Sequence, residues 1–143
     1  MEPIYKPTLD LTYHGVVYSK KNNKNIVVNR RTGRPQIISN QRVREMETAM
    51  AREFQAQAAK AGWEANTDTT YEVSIFIWTK DRTRRDLDNQ ATSILDALVA
   101  AGVIPDDSMK YVISLQAEFM GVDKNDPRAE VTVRKDEDDD EES

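Results

Sequence analysis

Two short acidic stretches carry the residues that could do chemistry. Arg84-Arg85-Asp86-Leu87-Asp88-Asn89 is followed, eighteen residues beyond Asp88, by Asp106-Asp107. Carboxylates beside arginines suit a hard cation acting on a phosphodiester. Magnesium takes oxygen ligands in octahedral geometry and is usually held by one or two carboxylates, water and phosphate oxygens. A metal so held activates a water, and a second stabilises the leaving oxygen. If the chain is extended at Asp86 and Asp88, residues two apart project to the same side and can share a cation. Adjacent residues point to opposite sides, so one of Asp106 and Asp107 faces that cation directly. The plainer reading is that an aspartate before an apolar-periodic run is an N-cap, and that acids after Pro105 are turn residues. Either pair alone favours the plainer reading, and the combination beside a basic run shifts the balance to a metal site.

The elements that must position these acids follow from periodicity. Tyr71 to Trp78 reads as a strand with Val73, Ile75 and Ile77 on one face and Phe76 and Trp78 on the other, as in a central strand covered on both sides. It leads into Lys80-Asp81-Arg82-Thr83-Arg84-Arg85. Around Asp88 the period becomes helical, with Ala91, Ile94, Leu95, Leu98 and Ala101 in one stripe and Gly102 as the stop. Strand, acid pair, helix and second acid pair therefore form one unit, expected to build its site from local chain geometry. Tyr111, Ile113, Leu115, Ala117 and Phe119 alternate with polar residues as a half-buried strand, and Ala129, Val131 and Val133 mark another.

Upstream, Thr8 to Tyr18 reads as a strand disturbed at Gly15. Ile26-Val27-Val28 and Gln36-Ile37-Ile38 flank Arg31-Thr32-Gly33-Arg34 as a hairpin. From Asn40 to about Ala61, Val43, Met46, Met50, Phe54, Ala58 and Ala61 form a helical stripe, with Asn40 or Ser39 as N-cap and Gly62 as stop. The two methionines are core filler. The fold class is α+β: a mixed sheet of about five to six strands with two main helices. Residues 1–134 form a single domain and 135–143 a disordered acidic tail.

Composition limits the alternatives. At 143 residues the chain makes one domain, large enough to bury roughly two-thirds of its unfolded surface. It has no cysteine and one histidine, which removes disulfides, thiolate metal sites and a histidine cluster. His14 is expected near the surface of its strand. No apolar run approaches the ~20 residues of a membrane helix and no signal core is seen, so a cytoplasmic protein with no membrane partner is expected. The net charge of -5 arises from 20 basic against 25 acidic residues, seven of the acids being Asp136 to Glu142; without those seven the balance is 20 to 18. Lys20, Lys21, Lys24, Arg30, Arg31 and Arg34 cluster without an intervening acid, and Lys80, Arg82, Arg84 and Arg85 accompany Asp81 alone. Such clustering is the electrostatic footprint of a DNA-binding surface.

Arg85-Asp86-Leu87-Asp88-Asn89, Ile94-Leu95-Asp96-Ala97-Leu98 and Gly102-Val103-Ile104-Pro105-Asp106-Asp107-Ser108 together resemble the signature of the RusA-type Holliday junction resolvases. The likeness is dense over Lys80 to Phe119 and looser before it. It implies a RusA-like homodimer that binds four-way DNA junctions and nicks opposed strands with Mg2+, or Mn2+ in its place, in a bacterial host or its phage. By the resemblance the catalytic acids are Asp86, Asp88 and Asp107, and the metal is held by these three with the adjacent Asp106 assisting. Asn89 orients a ligand carboxylate, Arg85 holds a phosphate, and Asp96 plays a structural or supporting part. Where the family carries a helix lysine this chain has Thr92, so Lys80, Arg82, Arg84 or Lys110 must supply the cation, or cleavage is weak. Two other readings compete: a branched-DNA binding protein with little or no cleavage, and an interaction protein whose acidic tail binds a basic partner.

Overall fold

In the computed structural model the described residues are 7–18, 24–28, 30–39, 41–83 and 86–136. Along them run β1 (Thr8–His14), β2 (Lys24–Val28), β3 (Pro35–Ser39), α1 (Gln41–Lys60), β4 (Thr70–Thr79), α2 (Leu87–Ala100), β5 (Val112–Val122) and β6 (Arg128–Asp136). The class is α+β with two helices, as expected. The strands, however, divide into a four-stranded sheet in the order β1-β6-β4-β5 and a separate β2-β3 hairpin. The hairpin's short register, Lys24 opposite Ser39 to Val28 opposite Pro35, closes over a turn in which Gly33 has φ 71°.

Alternation explains the sheet. Leu9, Leu11 and Tyr13 of β1, Tyr71, Val73, Ile75 and Ile77 of β4, and Ala129, Val131 and Val133 of β6 are buried on one face. Against that face packs the α1 stripe Val43, Met46, Met50, Phe54 and Ala58, together with Ile94, Leu95 and Leu98 of α2. Burying each such side chain fully contributes about 1.5–3 kcal/mol, so this layer dominates the fold's stability. Phe76 and Trp78, expected to be covered, are only half-buried: they lie on the opposite face, where the Arg128 guanidinium stacks 3.9 Å from the Trp78 ring centre.

Both helices stop the same way. Trp63 N–H donates to Ala58 O at 2.9 Å after Gly62, and Val103 N–H donates to Leu98 O at 2.9 Å after Gly102. Each glycine sits at positive φ, 71° and 75°, where a β-carbon is disfavoured. The expected N-cap position Asn40 lies outside the described residues.

β4 and β5 run parallel, joined by α2, whereas β4–β6 and β1–β6 are antiparallel. A parallel crossover returns the chain to the end of the sheet where it started. The beginning of α2 therefore lies at the Thr79 end of β4, and the chain leaving α2 is carried to the Tyr71 end. There Tyr71 N–H donates to Tyr111 O and both Tyr111 N–H and Val112 N–H donate to Ser108 O.

The two sheet edges are finished differently. On β1, the Gln57 side chain of α1 substitutes for a neighbouring strand, its Nε2 donating to Thr12 O at 2.7 Å and its Oε1 accepting from Thr12 N–H at 2.9 Å. On β5 the expected half-burial is not found. Ile113, Leu115, Phe119, Met120 and Val122 are 52, 47, 54, 42 and 42 % exposed. Leu115, Ala117 and Phe119 pair with Val73, Ile75 and Ile77 and share their core-facing side; Ala117 packs partly against the core, yet the helical layer does not cover Leu115 and Phe119. At the other end β6 runs to Asp136, two residues into the segment assigned to the tail. Lys135 pairs with Tyr71 and places its ammonium 4.6 Å from the Trp63 ring centre.

Candidate functional site

Asp86 is the residue before α2, with extended φ and ψ of -90° and 119°, and Leu87-Asp88 open the helix. The assumption that Asp86 and Asp88 lie on one extended segment is thus corrected: the helix begins between them. Neither behaves as a simple cap. The Asp86 carboxylate makes no capping bond, although its backbone carbonyl accepts from Gln90 N–H at 3.1 Å. Its Oδ2 instead accepts from Asn89 Nδ2 at 3.2 Å, while Asp88 Oδ1 accepts from Asn89 N–H at 2.9 Å. Asn89 therefore ties the two carboxylates to one short turn. Asp86 is partly exposed and Asp88 exposed, both at the positive end of the helix dipole.

Asp106 and Asp107 are also exposed, but elsewhere. They follow the far end of α2, and a helix of 14 residues is about 20 Å long. Among the described residues no three acidic or histidine side chains gather closely enough to hold a metal ion. The expectation that strand, helix and both acid pairs build a site within one chain is overturned by the parallel β4–α2–β5 connection, which separates the pairs by the helix length.

Thr92 lies one turn after Asp88, and its Oγ1 donates to Asp88 O at 3.0 Å, so its hydroxyl is spent on the helix backbone. Asp96 is two turns from Asp88, half-buried beside a cleft with Glu47, Thr48 and Ala51 of α1. Gln90 is 4 % exposed and donates to Val17 O at 2.9 Å, anchoring the first turn of α2 to the chain after β1.

Of the expected DNA-contacting cations, Arg30, Arg31 and Arg34 are exposed at the hairpin turn, and Lys80 and Arg82 are exposed between β4 and α2. Lys24 is the first residue of β2. Lys20, Lys21, Arg84 and Arg85 lie outside the described residues. Lys110, three residues after Asp107, places its ammonium 5.4 Å from the Tyr111 ring centre. His14 is a surface residue at the end of β1, its Nδ1 2.8 Å from Asp126 Oδ1 with the side chain 64 % exposed.

Nearby, Arg128 bonds Glu130 through Nε at 2.9 Å and Asp123 through an NH1 at 2.9 Å. The Glu130 bond most strongly raises its pKa above the ordinary value; partial desolvation opposes this, and Asp123 and Asp126 reinforce it. Sequence reasoning overlooked one feature beside the acid pair: a cavity of about 270 Å³ walled by Thr79, Asp81, Arg82, Thr83, Leu87, Gln90 and Phe119. Its signal was present in Leu87, an apolar residue between two acids.

A mixed sheet with a βαβ unit, an acid pair at a helix start and exposed cations beside it define a small α+β protein equipped to meet a polyanion. No helix of the described residues is long and apolar enough to cross a membrane. The family model described as Endodeoxyribonuclease RusA matches residues 8–134, from the first residue of β1 into the last strand, and the chain belongs to that family. Membership carries endodeoxyribonuclease activity on branched DNA, the resolution of Holliday junctions. A search of curated proteins found no match.

Proposed function

We propose that the chain is a magnesium-dependent nuclease that nicks four-way DNA junctions as a homodimer, each metal site combining Asp86 and Asp88 of one chain with Asp107 of the partner subunit. The observation that carries this reading is the uncovered β5 edge. A long edge strand with apolar side chains at 42–54 % exposure is a template for association, whereas on the opposite edge Gln57 occupies the Thr12 backbone groups. Two-fold packing sets two β5 strands antiparallel. An axis near Leu115, midway between Asp107 and Asp123, brings the start of one β5 to the end of the other. Asp123 N–H donates to Thr79 O, so that end is also the end of β4 from which the chain enters α2. The acids that one chain holds apart are thereby joined between two.

The donor set fits magnesium. It is all carboxylate oxygen, with no thiol in the chain, and the Asp86 carboxylate is not consumed in capping. Asp106, next to Asp107, would add a further carboxylate to the set that holds the ion. Bound there, magnesium or manganese supplies a water of lowered pKa and positive charge against the scissile phosphate. The chain's own residues do the rest. Asn89 orients the Asp86 carboxylate through its side chain and Asp88 through its backbone N–H. Lys80 and Arg82, with Arg84 and Arg85, neutralise phosphates that approach the helix start, and Arg30, Arg31 and Arg34, with Lys20, Lys21 and Lys24, hold a DNA arm along its backbone. Lys110 of the partner subunit travels with Asp107 and supplies the cation that Thr92 lacks. The family and the absence of a membrane-length helix among the described residues fit action on DNA in the cytoplasm of a bacterial host, with the gene carried by the host or a phage.

A second reading, a branched-DNA binding protein with weak or no cleavage, is favoured by one observation: Thr92 offers no cation and its hydroxyl is committed to Asp88 O. Incubation of a synthetic four-way junction with Mg2+ separates the two. Symmetric nicking by wild type, lost in Asp88→Asn with junction binding retained, is expected. Tight binding by wild type without nicking in Mg2+ or Mn2+ leaves the second reading.

A further inference from the structure

We infer that the cavity beside the acid pair is a socket for Met109 of a second copy of this chain, and that seating it is what registers Asp107 against Asp86 and Asp88. The inference rests on the two-fold β5 association above and adds to it the contact that fixes its register. Met109 is 88 % exposed, whereas Met46 and Met50 are 4 and 0 % exposed in the core. Met109 extends the exposed apolar series Ile113, Leu115 and Phe119 beyond the start of β5, and its unbranched thioether adapts to an irregular recess. The cavity, about 270 Å³, is larger than one such side chain; Leu87 and Phe119 give it apolar walls, and Asp81 and Arg82 form its charged rim. Phe119 belongs at once to this cavity and to the exposed β5 stripe, so the two surfaces are continuous.

Position in the chain gives the contact its consequence. With the axis near Leu115, Met109 falls opposite Gly121, level with the end of β4 where Trp78 pairs with Gly121 and Thr79 with Val122. Thr79 is itself a wall of the cavity. Leu87, another wall, is the residue between Asp86 and Asp88, and Met109 is two residues from Asp107 and one from Lys110. A methionine lodged against Leu87 therefore brings the partner's Asp107 and Lys110 within about two residue lengths, ~7 Å, of the acid pair.

The chain has no cysteine, so engineered pairs report cleanly. Met109→Cys combined with Thr83→Cys places one thiol on the knob and one on the socket rim, both at exposed positions outside the core. Within one chain the two are separated by the length of α2, far beyond the ~7 Å Cα separation a disulfide tolerates. Mild oxidation without DNA or metal should convert most of the double variant, and neither single variant, to a covalent dimer on a non-reducing gel. A dimer by sedimentation that nicks junctions yet never cross-links at this pair overturns the socket and leaves the nuclease reading intact. A cross-linked dimer that fails to nick in Mg2+ does the reverse. If cross-linking is absent and Phe119→Ala weakens junction binding without changing the dimer, the cavity belongs to DNA and the socket is refuted.

Discussion

Leu115→Glu tests the composite site at its centre. Leu115 is 47 % exposed and lies where the proposed two-fold axis between antiparallel β5 strands passes, so the substitution would place two carboxylates close to that axis. Covering the exposed half of a leucine contributes about 1 kcal/mol in each copy. Two carboxylates ~5 Å apart at an effective dielectric of ~20 repel by roughly 3 kcal/mol. The sum of about 5 kcal/mol corresponds to a rise of about 10³- to 10⁴-fold in the dimer dissociation constant. Because Leu115 is not part of the single chain's buried core, the monomer should keep its circular dichroism and melting temperature. Sedimentation velocity at micromolar protein should show wild type as a dimer and the variant as a folded monomer. Magnesium-dependent nicking should fall with the dimer fraction and return at high protein concentration. A variant that stays dimeric, or a folded monomer that nicks junctions at the wild-type rate, refutes the reasoning, since Asp86 and Asp107 of one chain lie beyond opposite ends of α2, a helix about 20 Å long.

Asn89→Ala removes the side-chain donor to Asp86, and magnesium affinity measured by the metal dependence of nicking should weaken about 10- to 100-fold, with junction binding in Ca2+ unchanged. Phe54→Ala empties a fully buried site between α1 and the sheet and should lower unfolding free energy by about 3–5 kcal/mol in urea titrations. The Tyr13 phenol is pushed above its ordinary value of 10.0 by burial first, then by Glu53 and Tyr18. Its contribution to stability is complete below pH 10 and is lost as pH rises through the folded-state value, because the unfolded chain ionises first. Tyr13→Phe should therefore flatten the fall in melting temperature as pH rises above 10.0, a comparison that thermal scans settle.

Much of the fold was legible because it is local. Helical spacing marked both helices, and Gly62 and Gly102 marked their ends, since a glycine at positive φ is what lets the last carbonyls find donors. Alternation marked β4 and β6, and Gly33 marked the hairpin turn. The acid stretches and the basic clusters around them were equally plain, being matters of residue type and spacing. By itself, then, the sequence determined which residues carry charge, where the helices end, and the family's motif over Lys80 to Phe119.

What it did not determine was direction. The same alternating β5 can run parallel or antiparallel to β4, and only the parallel pairing across α2 puts Asp86 and Asp88 at one end of the sheet and Asp106 and Asp107 at the other. Alternation also promised that Leu115 and Phe119 would be covered, but whether a helical layer reaches an edge strand depends on where the helices pack, and here they stop short. Periodicity is a property of one segment; adjacency and coverage belong to pairs of segments distant in the chain. Tertiary structure alone decided that the acid pairs are divided and that the apolar β5 edge is exposed.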